Sequence, residues 1–161
     1  MESHSAPCIV LMADDDEEDR LLAKIAFEAA QINGEIHFVE DGIELMEYLK
    51  NAVNGTSQER AALPNLIFLD LNMPRMGGRE ALKKIKTKPG LKDIPVVILT
   101  TSRNETDVNF CMNAGARDFI TKPVELDDWI DVIAAPLRSH CSQTGCCPNC
   151  SFNHELESPA I

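Results

Sequence analysis

Five short apolar runs punctuate the chain, and each is followed by a stretch in which apolar residues return at helical spacing. The runs lie at 8–13, 35–39, 66–70, 95–100 and 118–121. Three of them are nearly continuous: Ile9-Val10-Leu11-Met12-Ala13, Leu66-Ile67-Phe68-Leu69 and Pro95-Val96-Val97-Ile98-Leu99. Runs of this length, rich in branched side chains and without polar alternation, predict strands covered on both faces. The intervening stretches predict helices. Residues 18–31 carry Leu21, Leu22, Ile25, Ala26 and Ala29, and residues 43–53 carry Leu45, Met46, Leu49 and Val53. Residues 79–87 place Ala81, Leu82 and Ile85 on one stripe, with Lys83, Lys84 and Lys86 outward. Residues 105–114 offer Val108, Cys111 and Met112, and residues 125–138 offer Leu126, Trp129, Ile130, Ile133 and Leu137. Pro136 lacks an amide hydrogen and is expected to end or kink that last helix. Asn33-Gly34, Asp41-Gly42, Asn54-Gly55, Gly77-Gly78, Pro89-Gly90 and Gly115 supply the turns.

Strict strand–helix alternation predicts an α/β fold: a five-stranded parallel sheet, doubly wound, with helices on both faces. The working site of such a sheet lies outside the carboxyl ends of the strands, where the strand order reverses. Asp14-Asp15 end the first run, Asp70 the third, Thr100 the fourth and Lys122-Pro123 the fifth. Two carboxylates about 4 Å apart at an effective dielectric of about 20 repel by about 4 kcal/mol. Three clustered acids therefore demand a divalent cation or bind protons. Acids and a lysine at the ends of three strands predict a metal-assisted, phosphoryl-accepting site. Asp16, Glu17, Glu18 and Asp19 read instead as the solvated start of the first helix, favoured by its macrodipole.

Composition narrows the picture further. At 161 residues the chain is expected to form one core and one domain. A net charge of −11 excludes nonspecific binding to nucleic acid or to an anionic membrane. No apolar stretch approaches the about 20 residues of a membrane span, and Met1 to Pro7 contain no signal-peptide core, so a cytoplasmic location is expected. Cys8 and Cys111 sit in apolar contexts and read as core residues. Cys141, Cys146, Cys147 and Cys150 crowd toward the end.

Taken together, Asp14-Asp15, Asp70 followed by Asn72-Met73-Pro74 and Gly77-Gly78, Thr100, and Lys122-Pro123 resemble the receiver domain of two-component response regulators, in the right order and each at a strand end. The resemblance spans residues 8–138. It implies the flavodoxin-like strand order 2-1-3-4-5 and a role as a phosphoprotein in phosphorelay signal transduction rather than as an enzyme. By resemblance Asp70 is the phosphoacceptor, and Mg²⁺ is held by Asp15 and Asp70 directly, by Asp14 through water and by the Asn72 backbone carbonyl. Lys122 and Thr100 bind the phosphoryl group, the Lys122–Pro123 peptide bond is expected to be cis, and Thr100 with Phe119 forms the switch. Phe119 reads equally as a plain core aromatic. The face at 105–138 is the expected output and homodimer surface, on which Trp129 is either a partner contact or the edge of the helix stripe.

The long polar connection at 54–65, Leu99-Thr100-Thr101-Ser102 and Thr121-Lys122-Pro123-Val124 resemble receivers paired with phytochrome-type histidine kinases. The implied partners are therefore such a kinase and a downstream protein. Two alternatives compete: a degenerate receiver acting as a phosphorylation-independent scaffold, and an aspartate-nucleophile phosphatase. The latter requires a second Asp two residues beyond the nucleophile, where Asn72 stands. Residues 1–7 are expected to be a flexible start. Residues 139–161 are too few for a further domain, so a stand-alone receiver with an appended tail is expected. That tail reads either as disordered or, through Cys141, Cys146, Cys147 and Cys150 with His140 and His154 nearby, as a zinc ligand set.

Overall fold

The computed structural model describes residues 7–55 and 63–144, and for 141–144 the backbone alone. Cys146, Cys147, Cys150 and His154, the side chain of Cys141, most of the 54–65 connection and most of the 1–7 start lie outside the described residues. Strands β1 (Cys8–Ala13), β2 (Gly34–Val39), β3 (Leu66–Leu69), β4 (Val96–Thr100) and β5 (Asp118–Thr121) alternate with helices α1 (Glu17–Ala29), α2 (Gly42–Asn54), α3 (Gly78–Thr87), α4 (Glu105–Asn113) and α5 (Leu126–Thr144). All strand pairs are parallel, and the order is β2-β1-β3-β4-β5.

Because successive strand residues point to opposite faces, the continuous apolar runs feed two cores at once. Leu11, Ala13, Ile67, Leu69, Val96 and Ile98 face one way, against Leu45, Leu49, Leu82, Ile85 and Cys111. Cys8, Val10, Met12, Leu66, Phe68, Val97 and Leu99 face the other, against Ala23, Ala26, Phe27, Trp129, Ile133 and Leu137. Trp129 is fully buried, so of its two readings the structure selects the core one. Several stripe residues fall off the core: Leu21, Ile25, Val53, Met112 and Leu126 are exposed.

One expectation about α5 is corrected. The helix passes through Pro136 and continues to Thr144, beyond the boundary expected at 138. Ile133 and Leu137, both fully buried on the same cluster, hold the turns on either side of the proline to the sheet. Tertiary packing of this kind outweighs the local penalty of a missing amide hydrogen.

Register is what builds the site. Ala13 pairs with Val39 on one side and Leu69 on the other, and Thr100 pairs with Thr121. The residues that follow these strand ends therefore emerge side by side. The Asp14 amide donates to the Val39 carbonyl at 3.0 Å, the Asp70 amide to Ala13 at 3.0 Å, and the Lys122 amide to Thr100 at 2.8 Å. The order reverses at β1, so the crevice opens between β1 and β3.

Candidate functional site

Asp14, Asp15 and Asp70 each offer a carboxylate oxygen, and these oxygens lie within 4.8 Å of one another. Asp14 and Asp70 are buried, whereas Asp15 is exposed at the rim. The loop after β3 is folded tightly under Asp70. The Gly78 amide donates to the Leu71 carbonyl at 3.0 Å, and a Cβ on Gly78 would stand 2.2 Å from the Asp70 carbonyl oxygen. Only glycine permits that approach. The Asn72 amide donates to Asp70 Oδ1 at 3.3 Å, which fixes the carboxylate from the loop side.

Lys122 enters from the end of β5 with a side chain only 6% exposed. Its Nζ lies 2.8 Å from Asp14 Oδ2, 3.0 Å from Asp70 Oδ2 and 2.7 Å from Asp19 Oδ2. The cis bond expected at Lys122–Pro123 is absent: no cis peptide occurs among the described residues. The preference between isomers before proline is only about 0.5–1 kcal/mol, and the lysine reaches the acids from the trans form.

Burial pushes the Asp14 carboxyl up to about 6, and the neighbouring Asp70 charge adds to this. The Lys122 ammonium and the Asp16 amide, which donates to Asp14 Oδ1 at 2.9 Å, oppose it. Burial alone would lower the Lys122 ammonium, but hydrogen bonds to Asp14 and Asp19 and the charge of Asp70 outweigh it and hold the group above the usual lysine range. The lysine is a fixed cation. It cannot neutralise all the acids around it. Oxygen-only donors with surplus negative charge fit a hard divalent cation, which takes carboxylate oxygens and retains water.

Thr100 is fully buried at the end of β4, and its Oγ1 accepts from the Ser102 amide at 3.4 Å. Phe119 is half-buried and packs on the core cluster beneath α2, α3 and α4. The structure thus brings Asp14, Asp15, Asp70 and Lys122 together, with Thr100 one strand away and Phe119 on the adjoining edge strand.

Two features escaped the sequence reading. The first is Asp19, assigned to the solvated helix start yet in contact with Lys122. Asp16 is the N-cap, accepting from the amides of Glu18 and Asp19. That makes Asp19 the third helical residue, a position whose side chain reaches back over the helix start. The S/T/D-x-x-acid spacing is the signal that could have revealed it. The second is a polar chain running on from Thr100 through Ser102. The Ser102 hydroxyl donates to Asp107 Oδ2 at 2.6 Å, and Asp107, buried at the start of α4, is ion-paired with Arg79 of α3. Nothing local in the sequence pairs these residues.

The response regulator receiver domain model matches residues 10–134 of the chain. The protein belongs to the receiver-domain family. It is similar to the response regulator Rcp1 of Synechocystis sp., with 34% identity over 141 residues covering 81% of this chain and 94% of Rcp1. Among solved structures it is similar to the phosphorylated cyanobacterial phytochrome response regulator RcpA, with a TM-score of 0.76, 33% identity, and coverage of 86% of this chain and 96% of that one. It is also similar to the Mn²⁺-bound form of Rcp1, with a TM-score of 0.69, 35% identity, and coverage of 79% and 89%. Among the described residues no helix is long and apolar enough to cross a membrane.

Proposed function

We propose that this protein is a phosphoryl-accepting response regulator whose acceptor is Asp70 and whose donor is the phosphohistidine of a sensor kinase, of the phytochrome type in view of its similarity to Rcp1 and RcpA. The observation that carries the reading is the convergence of Asp14, Asp15 and Asp70 within 4.8 Å, with the Lys122 ammonium 3.0 Å from the Asp70 carboxylate. An Asp70 oxygen attacks phosphorus, the P–N bond breaks, and its electron pair leaves with the imidazole nitrogen. An acyl phosphate on Asp70 results. Asp15, Asp70 and the Asn72 carbonyl, with Asp14 through water, would hold Mg²⁺, which supplies charge neutralisation at the phosphoryl oxygens. The protein contributes positioning and fixed charge, and Lys122 is a compact cation suited to one phosphoryl oxygen.

The signal then leaves through the Thr100 hydroxyl and Phe119 to the 105–138 face, where a partner or a second copy binds. Exposed Met112, Val124 and Leu126 give that face apolar contact area. Residues 8–138 form the signalling unit in this reading, and its setting is cytoplasmic. Asn72 supplies no acid beside the nucleophile, so turnover as a phosphatase is not favoured. The complete acid set and Lys122 disfavour a degenerate scaffold. Incubation with a small acyl phosphate and Mg²⁺, followed by intact-mass measurement, should show one added phosphoryl group that Asp70→Asn abolishes. Retention of the adduct in that variant would refute the assignment.

A further inference from the structure

An ammonium group has three N–H donors. In this site Lys122 faces three carboxylates, Asp14 at 2.8 Å, Asp70 at 3.0 Å and Asp19 at 2.7 Å. Asp14 and Asp70 belong to the cluster whose oxygens converge for a cation; Asp19 does not. When a divalent cation engages Asp70 directly and Asp14 through water, its charge repels the ammonium, and those two contacts weaken. Asp19 is then the acceptor that can retain the amine. Its carboxylate projects from the first turn of α1 and is 21% exposed, so it is anchored to a helix while still hydrated.

We propose that Asp19 is a positioning residue for Lys122. It holds the lysine amine on the α1 side of the acid cluster, leaving Asp14 and Asp70 open to a divalent cation and keeping the amine within reach of the group that Asp70 accepts. The inference rests on the phosphoryl-acceptor reading, but its metal-binding half stands on this geometry alone. Without Asp19, the lysine has only the metal's own ligands to pair with and competes with the cation for them.

Calorimetric titration of the full chain with Mg²⁺ alone tests this. Asp19→Asn should weaken Mg²⁺ binding by about 5-fold or more, from the lost unit charge and from lysine competition together. In a Lys122→Met background the same substitution should cost only about 2-fold, the through-space part, because the competitor is gone. Asp19→Glu should restore most of the affinity. Equal losses in both backgrounds would reduce Asp19 to one more surface charge and overturn the proposal. Should Lys122→Met fail to fold, the ¹⁵Nζ resonance of Lys122 in the metal-free protein decides: it should shift in Asp19→Asn and hold in Asp19→Glu, and an unchanged resonance in Asp19→Asn overturns the contact. None of these readouts requires phosphorylation. If the wild type accepts no phosphoryl group while the metal cycle behaves as stated, the function reading fails and the positioning role survives.

Discussion

The centre of the strand-end surface and its flanks treat buried carboxylates in opposite ways. Among the described residues four aspartates are buried: Asp14, Asp41, Asp70 and Asp107. On the flanks each has an arginine of its own. Arg75 donates from Nε to Asp41 Oδ2 at 2.7 Å, and Arg79 pairs with Asp107. In the centre, Asp14 and Asp70 share one lysine, which Asp19 also claims, while Asp15 stands exposed beside them. A buried acid with a dedicated cation has its electrostatics closed, and its removal leaves an unpaired partner. A group of acids sharing one cation has negative charge left over. The flanks therefore hold loops in place, whereas the centre is built to take up something positive. The Asp41–Arg75 pair shows the first role plainly: Arg75 has a left-handed backbone (φ 62°) in the loop after Asp70, and the Gly42 amide ties the same loop to α2 through the Met76 carbonyl at 3.0 Å.

The centre should respond most strongly to a divalent cation. Surplus negative charge predicts that Mg²⁺ stabilises the folded protein, by about 2.7 kcal/mol at a free concentration 100 times its Kd. That corresponds to a rise in Tm of about 5–10 °C for a chain of this size. Asp15→Ala removes the exposed carboxylate of the cluster without disturbing the core, so it should leave the metal-free Tm equal or higher and abolish both the Mg²⁺ response and phosphoryl acceptance. A full Mg²⁺ response in Asp15→Ala would mean that the centre is closed like the flanks and that the ligand assignment is wrong.

A flank should behave in the reverse manner. Asp107→Ala strands the Ser102 hydroxyl and the Arg79 guanidinium at the start of α4. Loss of such a buried acceptor costs about 1–3 kcal/mol. Thermal melts should show the deficit equally with and without Mg²⁺. Because Ser102 is linked through its amide to the Thr100 hydroxyl, the variant should also accept phosphoryl while losing part of the change in self-association or partner affinity, read by sedimentation. A deficit that Mg²⁺ repairs would merge flank and centre and undo the distinction.

The difference also explains what was legible in the sequence. The central residues follow directly on continuous apolar runs, and in a parallel sheet the run ends alone bring Asp14, Asp70, Thr100 and Lys122 to one edge. The parallel sheet and the set of strand-end residues could be read for that reason, while the strand order 2-1-3-4-5 was implied by the resemblance to receiver domains. The flank pairs join residues from separate loops and helices, such as Asp41 with Arg75 and Asp107 with Arg79, and no periodicity encodes such contacts. Asp19 was hidden differently: the last four of six consecutive acids, Asp16 to Asp19, look alike, and only the cap geometry at Asp16 turns Asp19 toward Lys122. Trp129 could not be placed because a tryptophan on a helix stripe suits a core and an interface equally. Pro136 does not end α5, because Ile133 and Leu137 hold the helix to the sheet on either side of it.

The smallest expected effect concerns the pH dependence of the Asp41 flank. Burial pushes the Asp41 acid up, but the Glu44 amide, donating at 2.9 Å, and the Arg75 guanidinium outweigh it and hold the group below the usual carboxylate value of 3.8. A depressed folded value means that the unfolded chain binds the proton more readily. The stabilisation is therefore fully present above the ordinary aspartate range and is lost as pH falls through the folded value. Asp41→Asn cannot titrate. It should be modestly less stable than wild type near neutrality and should lose less than wild type between about pH 5 and about pH 3. Urea midpoints for both proteins at each pH give the comparison, and the other carboxylates cancel because they are common to both. The gap between the two proteins should narrow on acidification. A gap that stays constant would show that Arg75 does not hold Asp41 as a charge, and the contrast between paired flanks and a shared centre would then rest on Asp107 alone.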